Sequence, residues 1–150
     1  MSEYKAKIKK IKSVFEYQVT FSDCDPAHMA YYPRILEWMD WSAEKLFRSV
    51  GWPWHEHFGV DGMGGLPLLD IQVRFTHPCR FGDRISIATW IDAFEGRKFT
   101  VRHEMVNSGI LAAECREYRA WVIQDAASPK GIRAVSVPPE VQDLFHIKRA

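Results

Sequence analysis

A chain of 150 residues suits one domain that buries its own core without disulfides or metals. Its 20 Lys and Arg nearly balance 19 Asp and Glu, leaving a formal charge of +1 and no whole-molecule case for nucleic acid or an anionic membrane. Cys24, Cys79 and Cys115 lack C-x-x-C spacing, which argues against a disulfide framework or a zinc knuckle, and no run of about 18 apolar residues offers a membrane span.

The chain opens with a basic leader, residues 1–12, carrying Lys5, Lys7, Lys9, Lys10 and Lys12. It reads as a solvated tail, with a phosphate-binding arm as the alternative; no aromatic residues interleave these lysines. No apolar segment follows as in a secretory signal, so the reduced cytoplasm is the expected compartment. From Phe15 to Asp23 apolar and polar residues alternate, with Phe15, Tyr17, Val19 and Phe21 on one face, which predicts a half-buried strand. Pro26 disfavours helical geometry at Asp25 and cannot donate to a ladder, so Asp25 is expected just beyond the strand end.

Pro33 to Val50 predicts a helix with proline in its first turn and Gly51 after its last. Ile35, Leu36, Met39, Ala43, Leu46, Phe47 and Val50 share one face, opposite Glu37, Glu44 and Arg48. Trp38 and Asp40 fall at the borders of that stripe and Trp41 on the charged side, so a wrapping sheet or a second subunit would cover the tryptophans, with two partly exposed aromatics as the alternative. After a Gly- and Trp-rich connection come strands at "LLDIQVRFT", "RISIATWIDAF", "RKFTVRHEMV", "ILAAECREYRAWVI" and "IRAVSV", then a short helix at Pro138 or Pro139. One long helix beside so much sheet makes the helix the filling of the core, in a single α+β domain over residues 13–150.

Several constellations carry little chemistry. "GMGG" lacks the Gly-Lys-Ser/Thr ending of a phosphate loop, His55 and His57 have no third metal ligand at a recognised spacing, and no G-x-S-x-G elbow is present. Cys24 lies between two carboxylates, which disfavour a thiolate. Asp23 continues the inward register of Phe21 and reads as a structural acid bonding turn amides. Asp25 is either a turn aspartate or, ionised at neutral pH, a nucleophile or base beside the unpaired amides of a helix start, where a carbonyl would be polarised.

The run "DCDPAHMAYYPRILEWMD", Asp23 to Asp40, with "RKFTVRH" and "IRAVSVP" following in order, resembles the 4-hydroxybenzoyl-CoA thioesterase family of hotdog-fold proteins. The resemblance covers about Phe15 to Asp143. It implies a curved antiparallel sheet around one long α-helix, homodimers or homotetramers with active sites between subunits, and hydrolysis of an acyl-CoA thioester. It carries the catalytic carboxylate onto Asp25, as nucleophile or general base, and the carbonyl-polarising backbone N–H onto Tyr32. Asp40 falls where the family places an acid at the far end of an aryl pocket, with a surface ion pair as the equal rival, and Arg97, Lys98 and Arg133 fall where it meets CoA phosphates, with plain solvated charge as theirs. His28 and Tyr31 are candidate substrate contacts, with His28 otherwise positioning a water or only filling the turn. No metal or organic cofactor is implied, since coenzyme A is part of the substrate. His28 stands where a glycine is frequent, and Arg34 and Leu66 stand where the aryl-CoA enzyme carries other, polar side chains, which leaves benzoyl, other aryl and short aliphatic acyl groups open. A non-catalytic hotdog module binding acyl-CoA or an aromatic ligand is the alternative, and a nucleic-acid binder using the lysine-rich leader is a weaker one.

Overall fold

The structure, a computed structural model, describes residues 8–148. In chain order these form strands β1 (Ile8–Lys10) and β2 (Ser13–Gln18), helices α1 (Tyr32–Ser49) and α2 (Trp54–His57), and strands β3 (Met63–Gly65), β4 (Leu68–Phe75), β5 (Arg84–Glu95), β6 (Lys98–Asn107), β7 (Ile110–Ala120), β8 (Val122–Gln124) and β9 (Ile132–Ala134). Helix α3 (Pro139–Gln142) and strand β10 (His146–Lys148) complete them.

Five antiparallel strands in the order β2-β5-β6-β7-β4 make the main sheet. Register shifts at Ile91/Ala93, Met105/Val106 and Leu68/Asp70 bend it, because an extra residue on one strand raises the local twist. The sheet curls around α1. The helix start packs Ile35, Trp38 and Met39 against Val19, Ile85, Ile87, Met105 and Ala113. Its end packs Ala43, Leu46 and Phe47 against Ile91, Phe99, Trp121, Val137 and Phe145. The helix therefore runs from the Ile85 end of the sheet to the β5–β6 hairpin, and its direction sorts the functional residues below.

Trp38 is 0% exposed within the single chain, so no second subunit is needed to cover it. Its ring lies 4.9 Å from that of Tyr17, where the β2 edge wraps past the border of the helix's apolar stripe. Trp41 stays exposed, with Phe15 and Tyr17 edge-on to it.

Two expectations are corrected. The first strand stops at Gln18 rather than at Asp23, and Phe21–Asp23 forms a 3-10 turn instead. Asp23 Oδ2 accepts from the Thr20 N–H at 2.8 Å, the Thr20 hydroxyl at 2.7 Å and the Tyr17 hydroxyl at 2.8 Å, and these local bonds outcompete further ladder pairing. The turn leaves Phe21 79% exposed, edge-on to Phe81 at 6.0 Å. The "ILAAECREYRAWVI" strand breaks at Trp121: β7 stays in the main sheet, while β8 joins β3 and β9 in a separate one.

The leader enters the description at Ile8, where β1 pairs with β10. Lys10 donates to the Asp92 carbonyl at 2.6 Å and carboxylate at 3.1 Å, and the Lys12 ammonium sits 4.3 Å above the Trp90 ring, so these two lysines are engaged by the domain. Lys5 and Lys7 lie outside the described residues. No helix among the described residues is long and apolar enough to cross a membrane.

Candidate active site

Between the 3-10 turn and α1, the chain folds back on itself and bonds its own ends. Cys24 bridges Ala30, Met29 bridges Arg80, and the Tyr31 N–H donates to the Asp23 carbonyl at 2.7 Å. At the tip the Asp25 N–H donates to the Met29 carbonyl at 2.8 Å, and the His28 N–H donates to the Asp25 carbonyl at 2.9 Å. Closing so tight a loop requires a left-handed residue, and His28, at φ 64°, takes that conformation. This is the position at which glycine would be free of strain.

The loop aims the Asp25 carboxylate. Its Oδ1 accepts the Ala27 N–H at 2.9 Å and the Met29 N–H at 3.4 Å, which holds one oxygen in place. Its Oδ2 has no partner among the described residues. Asp25 lines a cleft of about 440 Å³ together with Phe21, Ser22, Cys24, Pro26, His28 and Phe81. Asp23 is support rather than chemistry: burial opposes its charge, but the donors on Thr20 and Tyr17 hold its carboxyl below the usual range.

Tyr31 is the N-cap of α1 and Tyr32 its first residue, with Pro33 next. The Tyr32 N–H donates to no group among the described residues, as expected for the first amide of a helix, and it carries the positive end of the helix dipole. Tyr32 lines a second cleft, of about 370 Å³, with Met29, Ala30, Ile35, Phe75 and Cys79 among its walls. Tyr31 and Tyr32 are both exposed, their rings 5.5 Å apart.

The thiols offer no competing nucleophile. Burial, reinforced by Asp83, pushes Cys79 up to about 11, and burial with Glu117 pushes Cys115 up to about 12. Cys24 donates weakly to the Thr20 carbonyl at 3.6 Å. His57, from the "HEH" run, stacks on Trp52 at 4.0 Å.

The remaining predicted residues lie elsewhere. Asp40 is two turns along α1, and its Oδ1 accepts from Arg119 Nη2 at 2.8 Å. Arg97 and Lys98 are exposed at the β5–β6 corner, at the far end of the helix. Arg133, on β9, is paired with Asp125 at 3.0 Å. Backbone bonds from Trp121 N–H to the Arg97 carbonyl and from Val135 N–H to the Trp121 carbonyl tie β9 to that same corner. An 18-residue helix is about 27 Å long, so one chain holds the carboxylate and the basic residues at opposite ends.

One set of polar residues was not anticipated. Thr89, His103, Glu117 and Arg119 are buried inside the sheet. Alternation on β7 places Glu117 and Arg119 in the inward register of Ala113 and Cys115, and that was the available signal.

The sequence profile of the thioesterase-like superfamily matches residues 19–145. The 4-hydroxybenzoyl-CoA thioesterase of Pseudomonas sp. (strain CBS-3) is 24% identical over 135 residues, which cover 86% of this chain and 94% of that protein. The 1,4-dihydroxy-2-naphthoyl-CoA hydrolase of Thermosynechococcus vestitus is 23% identical over 95 residues, 63% of this chain and 64% of that protein. The solved Pseudomonas enzyme superposes with a TM-score of 0.81 over 89% of this chain and 98% of its own, at 24% identity. A gentisyl-coenzyme A thioesterase superposes with a TM-score of 0.75 at 25% identity, over 87% and 99% of the two chains. The fold is the hotdog fold, a curved antiparallel sheet around one helix.

Proposed function

The chain belongs to the thioesterase-like superfamily, and on that footing we propose that it hydrolyses an aryl- or short-acyl-CoA thioester to the free acid and CoA. The observation that carries the reading is the pairing of a loop-clamped carboxylate, Asp25, with the unpaired N–H of Tyr32 at a helix start. An acyl-transfer site needs a group that attacks or activates water and a donor for the oxygen that gains charge.

Asp25 Oδ2 meets the first need by one of two balanced routes. As nucleophile it bonds to the thioester carbon, the C–S bond breaks, the CoA thiolate leaves, and water then hydrolyses the mixed anhydride. As general base it takes a proton from the water that attacks the same carbon, with the same bond broken. The Tyr32 N–H, aided by the helix dipole, stabilises the oxyanion in both. A single turnover in ¹⁸O-water that leaves label in the Asp25 side chain establishes the nucleophilic route, since only water attacking the Asp25 carbon of the anhydride puts it there. The reading requires no metal or organic cofactor.

A second copy of the chain completes this site. Leu69 and Phe75 are 51% and 48% exposed on β4, an unpaired edge strand, and edges of that kind associate. Phe75 also lines the Tyr32 cleft. An antiparallel partner on this edge would bring its own Arg97, Lys98 and Arg133 toward Asp25, where guanidinium and ammonium groups suit CoA phosphates. His28 and Tyr31 flank the thioester in this arrangement. The unpaired cysteines support a reduced, cytoplasmic compartment.

Thiol release from a panel of acyl- and aryl-CoA thioesters tests the reading. Turnover of at least one is expected; binding of CoA thioesters with no turnover of any would instead establish a non-catalytic binding module.

A further inference from the structure

The outer face of the main sheet, turned away from α1, carries rows of charged side chains. Strand alternation puts them there: Val73, Val101 and Cys115 point into the core, so their neighbours Arg74, Arg102, Glu114 and Arg116 point out. Register sets Trp90 opposite Arg102, Arg102 opposite Arg116, and Arg116 opposite Gln72, across β5, β6, β7 and β4. The next row sets Glu104 opposite Glu114 and Glu114 opposite Arg74. Arg74, Arg102 and Arg116 line one cleft of about 370 Å³, together with Gln72 and Glu114.

Two features of the arginine row are unfavourable for the chain by itself. Like charges directly opposite each other destabilise a sheet, and Arg102 faces Arg116. A buried donor without an acceptor costs free energy, and Arg102 Nε is buried with no hydrogen-bond partner among the described residues. Carboxylates relieve neither. Among the described residues the arginines paired with carboxylates are Arg34, Arg48, Arg119 and Arg133, and the three of the cleft are not among them. The Arg102 guanidinium is nonetheless held in place, 5.6 Å from the centre of the Trp90 ring.

An anion on the row satisfies both features. Guanidinium groups offer N–H donors in fixed directions that match the oxygens of phosphate in pairs. Three arginines against one glutamate leave the cleft a net charge of +2, which a phosphate dianion neutralises and a single carboxylate does not. The donors come from three strands, so a tetrahedral group with oxygens on every side meets more of them than a planar one. We infer that the cleft of Arg74, Arg102 and Arg116 is a phosphate-binding site on the outer face of the sheet, taking the free ion or a phosphate monoester. It shares no residue with Arg97, Lys98 and Arg133 and does not depend on thioester turnover.

The test is equilibrium dialysis of the full-length chain against labelled inorganic phosphate at low ionic strength, with Tm recorded with and without phosphate. The native chain is expected to bind the ion, and phosphate at ten times its dissociation constant should raise Tm by about 3–6 °C. Arg74→Met/Arg116→Met, at two exposed positions, should weaken binding by at least about tenfold, the loss of hydrogen bonds between charged groups. Arg102→Met should weaken it as much and, freed of the repulsion from Arg116, should keep or raise Tm in phosphate-free buffer. Arg97→Met/Lys98→Met should bind phosphate as the native chain does. Phenyl phosphate as competitor tells the sources apart: displacement at a lower concentration than unlabelled phosphate identifies an ester, and at a higher one the free ion. The inference is overturned if the native chain binds no phosphate or if the variants in the cleft bind it undiminished. Loss of binding in Arg97→Met/Lys98→Met alone would also overturn it, by placing the ion at the β5–β6 corner.

Discussion

The Tyr17 hydroxyl donates to Asp23 Oδ2 at 2.8 Å, tying strand β2 to the turn that delivers Asp25. The same oxygen takes both Thr20 donors, so one carboxylate secures the approach to the candidate catalytic loop. Asp23→Ala is expected to cost about 1.5–3 kcal/mol, the loss of hydrogen bonds to a charged group, read by urea denaturation. The pH dependence has a defined sign. The Asp23 carboxyl is held below its ordinary value, so its stabilisation is complete above the unfolded-chain value of about 3.9 and is lost as pH falls through the folded one. The variant should lose less stability than the native chain on acidification through that window.

His28 holds a left-handed conformation at φ 64° that a side chain with a Cβ adopts at a cost of about 1–2 kcal/mol. His28→Gly should therefore keep or slightly raise stability, the relief of strain being partly offset by the more flexible unfolded chain. His28→Val, β-branched at the same φ, should lose at least about 1 kcal/mol by the same assay. A loss on His28→Gly as large as on His28→Val would mean that the imidazole itself holds the loop.

Leu46 is fully buried at the end of α1 among Phe47, Phe99 and Phe145. Leu46→Ala should cost about 2–5 kcal/mol, from lost burial plus the residual cavity. A cost under about 1 kcal/mol in the urea midpoint would contradict the packing of this half of the core.

The exposed β4 edge is predicted to seat a second copy. Leu69→Lys introduces a charge on that edge, a common device against edge pairing. Sedimentation should show the native chain as a dimer or larger and the variant as a monomer, with thioester turnover falling in parallel. A native monomer, or a monomeric variant with full turnover, would remove the second copy from the site.

The long helix was legible because its apolar spacing matches its period, and the sheet because of alternation and glycine-marked corners such as Gly96 at φ 64°. The end of β2 was not, because three hydrogen bonds to one Asp23 oxygen override an alternating pattern that continues past the break. Trp38 sits at the border of the helical stripe in projection, and only the curl of the sheet past Tyr17 buries it. Pairing of β1 with β10 depends on bringing the two ends of the chain together, which no local pattern announces. The helix start at Tyr32 was legible, whereas Asp25 follows a 3-10 turn and not the strand end the alternation suggested. The burial of Arg119 and Glu117 was not legible, because their partners Asp40 and His103 come from other elements.

The central claim is that Asp25 is the group that turns over the thioester, and the most direct measurement is thiol release by native chain and Asp25→Asn on whichever acyl-CoA is turned over fastest. With Tm and CoA-thioester binding retained, kcat/KM is predicted to fall by at least about a hundredfold, or roughly 2.7 kcal/mol of transition-state stabilisation. A folded Asp25→Asn chain that releases thiol within a few-fold of the native rate would contradict it.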